Sequence, residues 1–370
     1  MKKTCAVILA AAVAFASMAG CGKKAEETET AAKEAGTEVL EETTRLAETA
    51  EEAETTQAQT DGETEEAGSS AEVVKIRLGG LKGPTSMGMV KLLDDAEQGK
   101  AKSQIEFTMA ISGDELAPKL LKGELDVAAV PANLASVLYH NSEGAVQFAA
   151  VNTLGVLYIA ETGGEEVQSV ADLKGQTIYA TGKGTTPEYA LRYLLSENGV
   201  DPDGDVTIEW MSEPTETVAK MAQADHAVAM LPQPFVTVAG GQLENFRVAL
   251  DLTEEWDKLE NGSRLITAGL VVRREFAENH PEELRTFLEE YEASTAYLNE
   301  NLSEGAALVE KYDIVKAAVA EKAISGCNVT YLAGEEMKAA VEGYLKVLFD
   351  ANPKAVGGSL PDDGFYLVLP

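Results

Sequence analysis

Cysteine, histidine and aromatic residues are scarce in this chain of 370 residues. It holds three cysteines and three histidines, and Phe, Trp and Tyr together make up 6% of it. Cys5 and Cys21 lie in an N-terminal apolar segment, so Cys327 has no partner in the rest of the chain. The sequence therefore offers no disulfide framework and no cysteine-based metal site.

Motifs of catalysis and cofactor binding are also missing. The histidines are isolated from one another along the chain: His140, His226 and His280. No HExxH, no P-loop and no Ser-His-Asp order is present. We therefore predict no catalytic residue, no metal and no cofactor.

Basic residues are few, with 30 Lys and Arg against 62 Asp and Glu, a formal net charge of −32. This balance argues against a nucleic-acid or anionic-membrane surface. Residues 22–72 contain sixteen acidic and four basic side chains and almost no large apolar ones. Such a segment cannot bury enough apolar surface to fold, so we predict that residues 22–72 form a disordered acidic tether.

The N-terminal apolar run, residues 6–16, is too short to span a bilayer comfortably. It follows Lys2 and Lys3 and precedes Met18-Ala19-Gly20-Cys21, so residues 1–21 have the three parts of a secretory signal peptide. The Ala-Gly-Cys ending resembles a bacterial lipobox. This resemblance implies that Cys21 is lipidated and anchors the chain to the outer face of the cell membrane; the alternative is an ordinary secretory signal.

A glycine-rich turn at the centre of the chain is the main candidate binding element. Residues 172–210 predict a strand, this turn, a helix and a second strand. The turn has Gly182, Gly184 and three threonine hydroxyls where the helix begins. Either Thr185 caps the helix, with Glu188 at capping-box spacing, or the cap falls one residue later. In both registers the turn aims free backbone N–H groups at solvent or at a ligand, although it also has a purely structural interpretation.

Other predicted strands end in similar polar turns. The strand at residues 74–78 is followed by a Gly/Thr turn, residues 79–86, in which Lys82 adds one positive charge. The apolar strands at residues 125–130 and 227–231 both end in proline, with a polar residue two positions after the first proline and one position after the second. The first of these polar residues, Asn133, is placed as a helix N-cap or as a ligand contact.

This internal echo predicts an α/β protein with two lobes of similar design. Residues 73–370 are numerous enough for two lobes. We assign residues 73–160 and 263–370 to lobe 1 and residues 161–262 to lobe 2, with residues 157–160 running towards lobe 2 and residues 267–273 returning. Residues 256–263 are predicted to be a loop, and a long helix is predicted from residue 279 to about residue 299.

Five short motifs make the chain resemble the extracytoplasmic solute-binding proteins of ABC importers in the NMT1/THI5-like group. They are residues 115–128 (ELAPKLLKGELDVA), 171–175 (ADLKG), 182–186 (GKGTT), 231–235 (LPQPF), and 271–273 with 279–282 (VVR and NHPE). The resemblance implies a bilobed periplasmic-binding-protein-like fold of type II, with the lobes joined by a hinge around a ligand cleft. It also implies a monomer that is not an enzyme and that delivers a sulfonate, nitrate, taurine or pyrimidine precursor to ABC permease subunits.

The ligand-binding residues implied by this resemblance coincide with the polar strand ends. They are Lys82, Gly83, Pro84, Thr85, Ser86, Pro131, Asn133, Thr153, Leu154, Gly182, Gly184, Thr185, Thr186, Pro187, Pro232 and Gln233. Four aromatic side chains could pack an apolar end of the ligand or could simply belong to the core: Tyr158, Tyr189, Trp210 and Phe235.

Two alternatives stay open. The same group includes fungal enzymes that make a thiamine pyrimidine, but their cysteine-rich iron motif is missing here; a small-molecule lyase on the same bilobed frame needs only one well-placed acid or amide. The second alternative is a ligand sensor for a membrane receptor, which would share the fold, the anchor and the cleft.

Overall fold

Two β-sheets with their helices organise the computed structural model, which describes residues 74–369. These residues belong to one unit, Ala71–Pro370. The predicted signal peptide, Cys21 and the acidic tether lie outside the described residues. Among residues 74–369, no helix has the length and apolar character needed to cross a membrane.

Eleven strands form the two sheets of the described chain. They are β1 (Lys75–Leu81), β2 (Gln104–Ala110), β3 (Val127–Pro131), β4 (Val146–Leu154), β5 (Leu157–Thr162), β6 (Thr177–Thr181), β7 (Thr207–Met211), β8 (Ala227–Pro232), β9 (Phe246–Asp251), β10 (Ile266–Arg273) and β11 (Val329–Ala333). Sheet A has the order β11-β4-β10-β3-β1-β2, and sheet B has the order β7-β6-β8-β5-β9.

Thirteen helices accompany these strands between residues 74 and 369. They are α1 (Pro84–Met87), α2 (Val90–Glu97), α3 (Gly113–Leu121), α4 (Ala132–Asn141), α5 (Thr186–Glu197), α6 (Pro214–Met221), α7 (Phe235–Gln242), α8 (Leu252–Asp257), α9 (Arg274–Asn279), α10 (Pro281–Glu300), α11 (Leu302–Lys311), α12 (Ala317–Ala323) and α13 (Gly334–Ala351).

The two sheets repeat one topology. In sheet A, β1 pairs in parallel with β2 and β3, and β10 pairs antiparallel with β3 and β4. In sheet B, β6 pairs in parallel with β7 and β8, and β5 pairs antiparallel with β8 and β9. The predicted bilobed α/β fold is therefore confirmed, with sheet A in lobe 1 and sheet B in lobe 2.

The chain crosses between the sheets twice. It leaves sheet A after β4 and enters sheet B at β5, and it returns between α8 and β10. Residues 157–160 pair with β8 and β9 of sheet B, whereas the predicted boundary at residue 160 gives them to lobe 1. The crossing lies at residues 155–156, between β4 and β5, and the apolar residues on both sides of it give no local signal of where lobe 1 ends.

Three local predictions differ from the structure. Gly79 and Gly80 lie within β1 and not in the following turn. A Cβ at Gly79 would stand 2.7 Å from Leu125 Cδ1, so close packing accounts for this glycine inside a strand. Trp256 belongs to α8, where a loop was predicted, because the Asp251 side chain caps this short helix by accepting from the backbone N–H of Thr253. Strand β11 was not predicted.

Apolar packing continues from one lobe to the other. Trp256 is fully buried, and its ring lies 4.8 Å from the ring of Tyr193 on α5 and 6.0 Å from that of Tyr344 on α13. Trp210 and Phe235 are half-buried against the same core and against a second apolar cluster, respectively. Because α5 belongs to lobe 2 and α13 to lobe 1, the packing of Trp256 against these two tyrosines holds the lobes together on one side.

Candidate functional site

The glycine-rich turn before α5 closes on itself. Gly182 and Gly184 adopt φ angles of 83° and 78°, a region that favours glycine. Thr185 is the N-cap of α5, as in the first of the two predicted registers, but its hydroxyl donates to the carbonyl of Gly182 at 2.7 Å. Glu188 accepts from the backbone N–H of Gly184 at 2.6 Å, so the turn itself uses one of the predicted free donors.

A buried hydrogen bond joins the two lobes at the start of α5. The Thr186 hydroxyl donates to Asn133 Oδ1 at 3.3 Å, and both side chains are buried. Asn133 lies in the first turn of α4, since Pro131 holds the N-cap position, so the N-cap interpretation of Asn133 is wrong. The Asn133 amide nitrogen donates to the carbonyl of Ala355 at 3.3 Å, which fixes the side chain in lobe 1.

Tyr344 on α13 extends this contact without a hydrogen bond of its own. Its side chain is fully buried, and within residues 74–369 its hydroxyl has no partner. Burial raises the pKa of Tyr344 above its ordinary value, against a smaller opposing effect from Thr186. The hydroxyl therefore stays protonated at neutral pH, and the contact between the lobes consists of uncharged hydroxyl and amide groups.

A second contact between the lobes lies beside the crossing segment. Tyr158 at the start of β5 donates its hydroxyl to the carbonyl of Gly326 at 2.8 Å. Asn328 Nδ2 donates to the carbonyl of Gly155 at 2.6 Å. A Cβ at Gly326 would stand 2.9 Å from the side-chain nitrogen of Gln233, so a larger residue would disturb this contact. Gly326 and Asn328 carry no local sequence signal and were not among the predicted site residues.

The predicted site residues in the turn after β1 are held in place by contacts within lobe 1. Thr85 and Ser86 are buried, and Asn152 Nδ2 donates to the carbonyl of Thr85 at 2.9 Å. Thr153 donates its hydroxyl to Asn152 Oδ1 at 3.1 Å. Asn152 therefore holds two predicted site residues in place, although it was not itself predicted as a site residue.

Lys82, the predicted positive charge of the site, forms an ion pair at the protein surface. Its ammonium group pairs with Asp313 Oδ2 at 2.9 Å, and both side chains are largely exposed. The charge is thus paired at the surface of lobe 1, and Lys82 is not available as an unpaired cation in this arrangement. Asp313 is far from Lys82 in sequence, so no local pattern indicates this ion pair.

The remaining predicted residues lie at strand ends and helix starts. Gly83 and Pro84 begin α1, Pro187 lies in the first turn of α5, and Leu154, Pro131 and Pro232 are half-buried ends of β4, β3 and β8. The structure brings Asn133 into contact with Thr186, and Gln233 close to Gly326. The role of all these residues in ligand binding stays a prediction.

A large open cavity lies beside α5, and neither Thr186 nor Asn133 belongs to its lining. It has a volume of about 870 Å³ and runs between α5 and the C-terminal end of α13. Tyr189 and Tyr193 line one side, and Val347 and Asp350 line the other. Two residues named in the sequence analysis belong to its lining: Gly184, a predicted ligand-binding residue, and Tyr189, one of the four candidate aromatic side chains.

The histidines and Cys327 have structural surroundings. His140 Nε2 contacts the carbonyl of Ser359 at 2.8 Å, and His226 Nε2 contacts buried Glu161 at 3.0 Å. Cys327 is fully buried, and burial raises its pKa to about 12, so its thiolate is scarce at neutral pH. Among the described residues, no three His, Cys, Asp or Glu side chains are grouped as a metal site.

Comparison with solved structures identifies the class of fold. An ABC transporter protein from Parabacteroides distasonis superposes with a TM-score of 0.67 at 24% identity, over 80% of this chain and 99% of that chain. The periplasmic aliphatic sulphonate binding protein from Escherichia coli gives a TM-score of 0.63 at 19% identity, over 77% of this chain and 95% of that chain. The fold is therefore that of type II periplasmic binding proteins.

The family follows from the sequence. The profile of a family described as "Menaquinone biosynthesis" matches residues 93–350, which span both lobes. The chain belongs to this menaquinone biosynthesis family. No curated protein matches the sequence. Because the matching profile carries this description, the narrower resemblance to the NMT1/THI5-like group stays a prediction.

Proposed function

We propose that the chain is the extracytoplasmic solute-binding component of an ABC importer. The observation that carries this proposal is the buried hydrogen bond between Thr186 of lobe 2 and Asn133 of lobe 1. The bond lies just beyond the carboxyl ends of strands β3 and β6. Open α/β sheets bind ligands at this edge. A solute held between these two groups would contact both lobes at once.

Hinge closure is the proposed mechanism. Within residues 74–369, two chain segments cross between the sheets, near Gly155 and between α8 and β10, so the lobes can rotate about them. A solute that touches both lobes binds the closed form more tightly and shifts the population towards it. In the proposed cycle the permease subunits recognise this closed form. Lipidation of Cys21 would keep the monomeric binding protein at the outer face of the membrane.

The chemistry of the contact favours a small solute without multiple charges. Asn133, Thr186 and Tyr344 offer uncharged donors and acceptors, and Lys82 is already paired with Asp313. The first turn of α5 adds partial positive charge from its backbone N–H groups. A neutral organic molecule or a single oxyanion such as a sulfonate fits this set better than a dicarboxylate does.

An enzyme of menaquinone biosynthesis is the second candidate, because the family profile covers both lobes. Such an enzyme would use the same cleft, with a hydroxyl or amide as its acid or base. The buried thiol of Cys327, with its pKa raised to about 12, is a poor nucleophile, and the surroundings of His140 and His226 are structural. These surroundings support binding over catalysis. The sensor alternative shares the same cleft.

A thermal-shift screen of the unit Ala71–Pro370 tests the proposal. The compounds would be sulfonates, nitrate, taurine, pyrimidines and thiamine precursors, and mass spectrometry would follow each mixture. We expect one class to raise the melting temperature, since a ligand specific for the native state stabilises it by mass action. Conversion of a compound into a new product by the wild-type unit would favour the enzyme instead.

A further inference from the structure

The cavity between α5 and α13 is separate from the contact between Thr186 and Asn133. Its volume of about 870 Å³ lies within the range of small-molecule sites, roughly 300–1,000 Å³. One wall is the face of α5 that carries Tyr189 and Tyr193, and the other is the last turn of α13. The two walls therefore belong to different lobes.

Two tyrosine rings give the cavity its shape. The hydroxyl of Tyr193 accepts a hydrogen bond from Asn261 Nδ2 at 2.9 Å, and its ring packs against buried Trp256 with the ring centres 4.8 Å apart. Tyr193 is thus held in place without a ligand. Tyr189 lies one turn earlier on α5, and Val347 adds an apolar surface opposite. Together these side chains form a partly apolar slot with π faces.

The charges around the slot are mostly negative. Its single arginine, Arg192, donates to Glu188 at 3.1 Å and to Asp203 at 2.7 Å, so its guanidinium group is already neutralised. Asp350 pairs with Lys346 on the exposed side of α13. Glu197 lines the cavity and makes no ion pair within residues 74–369. An anion would be repelled by several carboxylates here, whereas a cation could pair with the free carboxylate of Glu197.

We propose that this slot binds a small organic cation with an aromatic or apolar body, such as an arylalkylammonium compound. The ammonium group lies against Glu197 and the face of a tyrosine ring, and the body packs on Tyr189 and Val347. Cation–π contacts of this kind strengthen binding roughly 2- to 30-fold each. Because the walls come from both lobes, the bound cation favours the arrangement in which α5 and α13 lie close together.

Titration of the full chain with benzyltrimethylammonium, followed by NMR or calorimetry, tests this proposal. Isophthalate, which has a similar ring but two negative charges and lies outside the solute class proposed for the cleft, is the control ligand. We expect saturable binding of the cation with a Kd near or below about 1 mM, and at least tenfold weaker binding of isophthalate. No saturable binding up to about 10 mM, or equal binding of the two compounds, would overturn the proposal.

Three variants test whether the cation binds in the slot. Tyr189→Leu keeps apolar bulk but removes the ring and is expected to weaken binding about tenfold, and Glu197→Gln about threefold. Glu321→Gln, which removes an exposed carboxylate of α12, should leave the affinity unchanged. Unchanged affinity in both slot variants, or an equal loss in Glu321→Gln, would show that the cation binds elsewhere on this acidic surface.

Discussion

The hydrogen bond between Thr186 and Asn133 can be removed with little change in side-chain shape by the substitution Thr186→Val. Valine replaces the hydroxyl with a methyl group and leaves the buried Asn133 Oδ1 without its donor. A buried acceptor left unsatisfied costs about 1–3 kcal/mol. This cost applies only when the lobes are closed, since in an open form water can bond to Asn133. The ratio of closed to open molecules should therefore fall about 5- to 150-fold.

Small-angle X-ray scattering of the unit Ala71–Pro370 measures this change as an increase in the radius of gyration. Thr215→Val is the matched control, because the exposed Thr215 hydroxyl bonds only within its own turn, to Glu213 Oε2. We expect Thr186→Val to expand the protein and to weaken solute binding, while Thr215→Val does neither. Identical scattering and affinity for Thr186→Val and the wild type would refute the role given to this bond.

Three further predictions concern stability and reactivity. Trp256→Ala removes a fully buried ring between Tyr193 and Tyr344 and should lower the free energy of unfolding in urea by about 3–5 kcal/mol; a loss below about 1 kcal/mol would contradict this packing. Burial alone would raise the pKa of Asp126, but the hydrogen bonds from Arg77 outweigh it and the pKa lies below its ordinary value. The resulting stabilisation is present above the unfolded carboxyl pKa of about 3.9 and is lost as the pH falls through the lower folded value, so acid titration should destabilise Asp126→Asn less steeply than the wild type. In the native unit at pH 8, the thiolate fraction of Cys327 should be about a thousandfold below that of a free thiol, because burial raises its pKa from 9.0 to about 12. Reaction of Cys327 with a thiol reagent as fast as that of a free thiol would contradict its burial.

Most strands of the fold could be predicted because their signal is local. Apolar runs ended by proline, as at Pro131 and Pro232, coincide with the ends of β3 and β8. The repeated order of these runs predicted two lobes, and the two sheets have the same order of parallel and antiparallel strands. The error at Gly79 fell where a tertiary contact decides the local structure, whereas the short helix around Trp256 begins at a local cap, Asp251, that the prediction missed.

The candidate site was harder to predict because its contacts join distant parts of the chain. The contacts of Thr186 with Asn133 and of Tyr158 with Gly326 span 53 and 168 residues. Local capping patterns identified Thr186 as a residue at a helix start, but no pattern in one sequence indicates its partner. Tyr344 lies in a helix of ordinary amphipathic spacing. Its buried hydroxyl without a partner can therefore be recognised only from the three-dimensional arrangement of the lobes.

Native mass spectrometry of the unit Ala71–Pro370 with the compound found by thermal shift tests the central claim most directly. If the chain captures a solute between its lobes, each monomer should retain one molecule of unaltered mass, and Thr186→Val should retain less of it than Thr215→Val. Accumulation of a product of different mass in excess over the protein would contradict the binding account and favour an enzyme. Equal retention by the two variants would separate the bound solute from the contact between Thr186 and Asn133.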